Sequence, residues 1–189
     1  TLPPDAVAPV EAALDEVRRL SRMVSVLLEL AQDEAKRPAR VKVDLKSAIG
    51  ERVEAWRPLA EEQGLRLVAG ALTAGSLAVM ACPETVEQVL DNLLANAFEA
   101  TPAGGTVRVD ASPKGSFVEI HVLDDGCGLA PGEHDRAFDR FWRGSGSRPD
   151  GSGLGLAIVD HLVQLSGGSA ELRPCAGGGT DAVVWMPTA

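Results

Sequence analysis

The stretch that most restricts the fold is Gly151-Ser152-Gly153-Leu154-Gly155-Leu156-Ala157-Ile158-Val159. Its alternating glycines permit close backbone approach and unusual dihedral angles. An apolar helical pattern follows through Leu162, Val163 and Leu165 and stops at Gly167-Gly168. A mostly buried helix entered through a glycine loop offers N–H groups at its start, and these suit phosphate. A tight loop packed under a helix would carry the same residues for structural reasons alone. The dinucleotide fingerprint does not fit, because no clear strand leads in and the glycines alternate singly.

The remaining elements follow from periodicity and punctuation. From about Asp5 to Ala35, Val10, Leu14, Val17, Val24 and Ala31 line one side of a long helix, with Glu11, Arg18, Arg19 and Arg22 opposite. That spacing belongs to a bundle or coiled coil and implies a partner helix, from missing sequence, a second subunit or the domain itself. Ala35 to Arg40, with Pro38 among basic residues, reads as a linker. A strand is expected at 41–45. A helix follows, capped by Asp44, with Pro58 as a kink point and Gly64 as its end. Strands at 65–69 and 77–81 flank a turn from Gly70 to Gly75, and a helix runs from about Pro83 to Ala100. Residues 106–111 and 117–123 form a hairpin turning near Pro113 to Gly115. A turn-rich loop covers 124–132, a short helix Glu133 to Trp142, and a mobile stretch Gly144 to Asp150. Strands at 169–173 and 180–186 close the chain as a last hairpin. The class is α+β, a two-layer sandwich with helices on one face of a mixed sheet.

Acidic residues outnumber basic ones by 27 to 18, the formal charge is −9, and no basic stripe is present. Nucleic acid is therefore not an expected partner. An acidic chain that takes a polyphosphate must neutralise it locally, with metal, arginine or backbone N–H groups. Cys82, Cys127 and Cys175 are too scattered for a disulfide scaffold or zinc cluster and fit a reducing compartment.

Four groups of residues carry candidate chemistry. Asn92 and Asn96 share a helix face, where a carboxamide oxygen suits Mg²⁺; structural hydrogen bonds would also explain the pair. Asp124 is the first acid after an apolar strand. Its carboxylate can accept the exocyclic amine of adenine, with Gly126 and Gly128 letting the ring lie against the backbone; a glycine turn with solvated acids is the plainer alternative. Arg140 or Arg143, set among Phe138, Phe141 and Trp142, could reach a polyphosphate from the base of a lid. Gly178-Gly179-Thr180 marks a hairpin turn entering a strand.

In this order the motifs resemble the ATP-binding module of bacterial sensor histidine kinases, in the superfamily shared with gyrase, the Hsp90 chaperones and MutL. The resemblance covers nearly the whole chain. It implies a histidine kinase/Hsp90-like sandwich over 41–189, a linker at 37–40, and in 1–36 the second helix of a dimerisation and phosphoacceptor hairpin. It implies ATP and Mg²⁺ as cofactors. Asn96 would bind the metal, and Asn92 would support phosphate or metal-bound water. Asp124, Gly126, Gly128 and Thr180 would form the adenine pocket, while Gly151, Gly153, Leu154 and Gly155 would line the phosphates. Arg140 and Arg143 match basic positions that aid phosphate binding or transfer.

The resemblance also implies a homodimer in the full protein, a response regulator receiver domain as partner, and a cytoplasmic place in a sensor that reaches the membrane only through other regions. Two departures stand out. The phosphoacceptor histidine motif does not occur, so the chain is expected to begin after that helix and not to autophosphorylate alone. Glu99 falls where many relatives carry Lys or Arg. Asn92 stands where the ATP-hydrolysing relatives place a glutamate base.

Overall fold

The computed structural model describes residues 39–72, 77–82, 84–130, 132–144, 153–175 and 178–189. The long helix expected over Asp5 to Ala35, the boundary at 36–37, Gly151 and most of the expected lid fall outside the described residues.

Strand β1 (Val41–Asp44) runs straight into helix α1 (Leu45–Gln63). Asp44 caps that helix, accepting from the Lys46 N–H at 3.2 Å and the Ser47 hydroxyl at 2.8 Å. Gly64 ends it in the left-handed region (φ 66°), donating its N–H back to Ala60 and Glu61. The helix continues through Pro58 to Gln63. Next come β2 (Arg66–Leu72), β3 (Ala78–Ala81) and α2 (Thr85–Ala100). The hairpin β4 (Thr106–Lys114) and β5 (Phe117–Asp124) leads to a 3₁₀ turn at His134–Arg136. Helix α3 (Gly155–Leu165), β6 (Ser169–Pro174) and β7 (Thr180–Pro187) complete the order.

The main sheet has the order β2-β4-β5-β7-β6, with β2 parallel to β4 and the other pairs antiparallel. β1 and β3 form a separate antiparallel pair. Because side chains alternate along a strand, each sheet face has its own character. Val107 and Val109 of β4, Ile120 and Val122 of β5, and Val184 and Met186 of β7 join one core with Ile49 of α1, Leu90 and Leu94 of α2, and Val159 and Val163 of α3. The opposite face mixes polar groups with Phe117, Leu123 and the buried Val183. There Trp185 donates its indole N–H to Glu119 Oε1 at 2.8 Å, Lys114 pairs with Glu119 at 3.0 Å, and His121 Nδ1 lies 3.0 Å from Asp181 Oδ1. The sandwich expected from the sequence is the one observed.

Two local expectations are corrected. The turn expected from Gly70 does not start there, because β2 runs on to Leu72. Asp110 of β4 accepts the Ala71 N–H at 2.8 Å, and the register shifts between Ala69 and Leu72. A long-range carboxylate thus supports a bulge that keeps the strand paired. The helix expected over Glu133 to Trp142 is reduced to the His134–Arg136 turn. Phe141 has φ 64° and donates its N–H to Gly153 O at 2.8 Å, so it cannot continue a right-handed helix.

Arg40, at the end of the stretch read as a linker, is bonded to the sandwich. Arg40 donates through Nη2 to Leu165 O at 2.8 Å, at the end of α3, and its guanidinium lies over Gly167. A cation at a helix C-terminus is favourably placed.

Candidate functional site

Helix α2 presents Asn92 and Asn96 toward the start of α3. The Asn92 amide donates through Nδ2 to Gln88 O at 2.8 Å, on its own helix. This leaves Asn92 Oδ1 for the pocket. A Cβ placed on Gly155 would lie 3.3 Å from Asn96 Oδ1 and 3.4 Å from Asn92 Oδ1. Both carboxamide oxygens therefore border the same glycine. Asn96 Nδ2 is buried and has no hydrogen-bond partner, which is unusual for a buried donor. The buried Leu154 is the N-cap of α3, and no side chain caps that helix.

The other end of the pocket is built around Asp124, the last residue of β5, which is 8% exposed. Its Oδ1 accepts two backbone N–H groups, from Gly126 at 2.9 Å and Thr180 at 3.2 Å. Burial raises the carboxyl above the ordinary aspartate range, against the pull of those two bonds, and Asp125 adds to the rise. The glycine loop is pressed between neighbours. A Cβ on Gly126 would lie 2.5 Å from Ala100 O at the end of α2, and one on Gly128 (φ 67°) would lie 3.1 Å from Gly179 O. Gly179 (φ 83°) has no room for a Cβ against Asp124 O. The site thus runs from Asp124 beside the end of α2 to two amide oxygens beside the start of α3.

The family described as "Histidine kinase-, DNA gyrase B-, and HSP90-like ATPase" matches residues 82–189. The chain belongs to that family. Among its relatives, it is 31% identical over 182 residues to the sensor-like histidine kinase SenX3 of Mycobacterium tuberculosis, covering 94% of this chain and 44% of SenX3. It is 33% identical over 179 residues to the sensor histidine kinase CusS of Escherichia coli K12, covering 92% of this chain and 36% of CusS. Full-length ShkA, solved in complex with AMPPNP, superposes with a TM-score of 0.79 at 27% identity, over 100% of this chain and 40% of that one. The mycobacterial sensor histidine kinase MprB gives 0.66 at 28% identity, over 78% and 97%. The chain is a bacterial sensor histidine kinase catalytic domain, and it spans less than half the length of the curated relatives named here.

Within this kinase domain, the structure brings together Asn92, Asn96 and Gly155 at one end and Asp124, Gly126, Gly128 and Thr180 at the other. Arg140 and Arg143 lie on an exposed turn beside Phe141. That turn is joined to the residues ahead of α3 by the bond from Phe141 N–H to Gly153 O, and Gly153 has φ 65°. Glu99 is exposed on α2, one turn past Asn96. Ala100 and Gly179 wall the candidate site, and of the two only Ala100 was not singled out in the sequence. Gly179 carried a signal, as the middle of Gly178-Gly179-Thr180; Ala100 carried none, since it contributes only a carbonyl. Among the described residues no helix is long and apolar enough to cross a membrane.

Proposed function

We propose that this chain binds Mg-ATP between the Asp124 end and the Asn92–Asn96 end of the site and presents the γ-phosphoryl group to a histidine elsewhere in the full protein. The observation that carries this reading is Asp124. One carboxylate oxygen is held by two backbone N–H groups and the other takes no part in those bonds, so a buried acceptor stands ready for an amine. Gly126 leaves the adjoining wall flat for a ring. The AMPPNP complex of the similar ShkA structure supports a nucleotide here, since AMPPNP is an ATP analogue.

The donor set at the other end fits Mg²⁺, which prefers oxygen ligands and keeps several waters. Asn96 would hold the ion through Oδ1, with its buried and unpartnered Nδ2 left for a phosphate oxygen or water. Asn92 Oδ1 would orient a metal-bound water or phosphate from the same side. When bound, the ion supplies charge neutralisation on the triphosphate. The chain's own contribution is positioning: α3 offers its uncapped start to phosphate, and Gly153, Leu154 and Gly155 would line that side, with Gly151 assigned there by the resemblance alone. Arg140 and Arg143 approach the phosphates from the turn joined to Gly153, where bidentate contact stabilises charge on the transferring group.

His121 is tied to Asp181 on the outer sheet face and is not placed to receive a phosphoryl group. The acceptor belongs to another segment or subunit, with an aspartate of a response regulator receiver domain as the next carrier, in a homodimeric sensor whose catalytic part is cytoplasmic. Asn92 is not a base, so activation of water is not supported. Calorimetric titration with Mg-ATP tests the reading. Wild type should bind, and Asp124→Ala and Asn96→Asp should each weaken binding with the circular dichroism spectrum unchanged. Equal binding by all three proteins would overturn it.

A further inference from the structure

We propose that Glu99 makes nucleotide binding by this domain conditional on a divalent cation. The inference rests on the pocket described above. Along α2, successive residues advance by roughly 100° and ~1.5 Å. Glu99 is three residues past Asn96 and seven past Asn92. It therefore stands within about 60° of Asn96 and about 20° of Asn92 in azimuth, at roughly 10 Å along the axis from Asn92. The stripe Asn92, Asn96, Glu99 is one face of one helix.

That face is the one turned to the nucleotide site. Gly155 meets the amide oxygens of Asn92 and Asn96, while Gly126 abuts Ala100 O, next to Glu99. The stripe thus leads from the phosphate end to the adenine end, and Glu99 stands between the metal-binding amide and the adenine wall. Glu99 is exposed, as a residue on a pocket wall open to solvent would be.

The charge on this wall is one-sided. The stripe holds two neutral amides and one carboxylate. Asp124 and Asp125 lie at the adenine end, and the whole chain carries a formal charge of −9. A metal-free triphosphate meets like charge along that face, and like charges at short range in a partly desolvated pocket repel. A divalent cation held at Asn96 would weaken that repulsion, because Glu99 then faces a complex in which part of the phosphate charge is cancelled. Glu99 is a specificity-determining residue in this sense: it touches the balance between metal-loaded and metal-free nucleotide, without being a ligand itself.

The test compares ATP affinity with excess Mg²⁺ and with EDTA, by calorimetry or fluorescence, for wild type, Glu99→Gln, Glu99→Lys and Asp124→Ala. Wild type should lose on the order of tenfold or more in affinity on removing Mg²⁺. Glu99→Gln should narrow that ratio, and Glu99→Lys should narrow it further by raising the affinity for metal-free ATP. A ratio unchanged in both Glu99 variants overturns the inference while leaving the pocket intact. Unchanged Mg-ATP binding by Asp124→Ala overturns the pocket reading instead, and absence of ATP binding by wild type in both conditions removes both. Thermal unfolding of each variant without nucleotide separates a misfolded variant from an informative one. Should Glu99→Lys fail to fold, the Glu99→Gln ratio decides alone.

Discussion

The backbone N–H of Thr180 donates to Asp124 Oδ1 at 3.2 Å, joining the first residue of β7 to the last residue of β5. This bond and its companion from Gly126 hold the buried carboxylate in one orientation, and they set up the first prediction. Burial is the largest influence on Asp124 and raises its pKa, so the folded carboxyl ionises less readily than the unfolded one. Its contribution to stability is full below the ordinary aspartate range and is lost as pH rises through the raised folded value. Asp124→Asn does not titrate. The unfolding free energy of wild type relative to the variant should therefore fall with rising pH across that window, as measured by urea unfolding. Nucleotide affinity should move the other way, since adenine needs the ionised acceptor. Wild type should weaken as pH falls through the same window, and Asp124→Asn should bind at least about tenfold more weakly at neutral pH, with a flatter profile.

Asn96 separates function from stability. Its Nδ2 is buried without a partner, so deleting the amide removes a group that folding leaves unsatisfied. Asn96→Ala is expected to unfold within about 1 kcal/mol of wild type, on either side. The same variant should lose Mg-ATP affinity by about tenfold or more. A large loss of stability in chemical denaturation would show that the amide is structural.

Gly179 and Gly115 both have positive φ, at 83° and 63°. A Cβ on Gly115 meets nothing within 4 Å, whereas one on Gly179 runs into Asp124 O. Gly115→Ala should cost about 1–2 kcal/mol, the price of the left-handed conformation alone. Gly179→Ala should cost about 3 kcal/mol or more and should also weaken ATP binding, because relief requires moving the Asp124 backbone. Equal losses for the two variants in urea titrations would contradict the geometry.

On the outer sheet face, Glu119 provides a contrast in sign. Burial pushes its pKa up, but the Trp185 indole and Lys114 together outweigh that and leave it below the ordinary glutamate value. Its stabilising contribution is present above the ordinary glutamate range and is lost as pH falls through the folded value. Trp185→Phe removes the donor at 2.8 Å and should cost about 1–3 kcal/mol near neutral pH. The deficit should shrink in acid, which unfolding curves at several pH values would reveal. Nucleotide affinity should be unaffected, since this face lies opposite the helices.

Much of the sandwich was legible because its signals are local. Asp44 and Gly64 bracket α1 with a cap at each end, and the alternation along β4, β5 and β7 already separates a core face from a mixed one. What failed was decided at a distance. The bulge at Gly70 depends on Asp110, whose carboxylate arrives from another strand. Phe138, Phe141 and Trp142 imitate a helical face, but the Phe141 N–H is taken by Gly153. For the site, helical spacing put Asn92 and Asn96 together without saying what they face. The contact with Gly155 follows from the packing of α2 on α3, which no periodicity within either helix encodes.

The bond from Phe141 to Gly153 has an evolutionary consequence. It ties the two rims of the intervening segment together immediately ahead of α3, so Gly155 reaches the asparagines by a route that does not pass through that segment. Once rims are joined, doubling the length of a flexible insertion costs only about 0.6 kcal/mol in closure entropy. The length of chain between those rims can therefore change from one descendant to another while Gly155 keeps its place against Asn92 and Asn96.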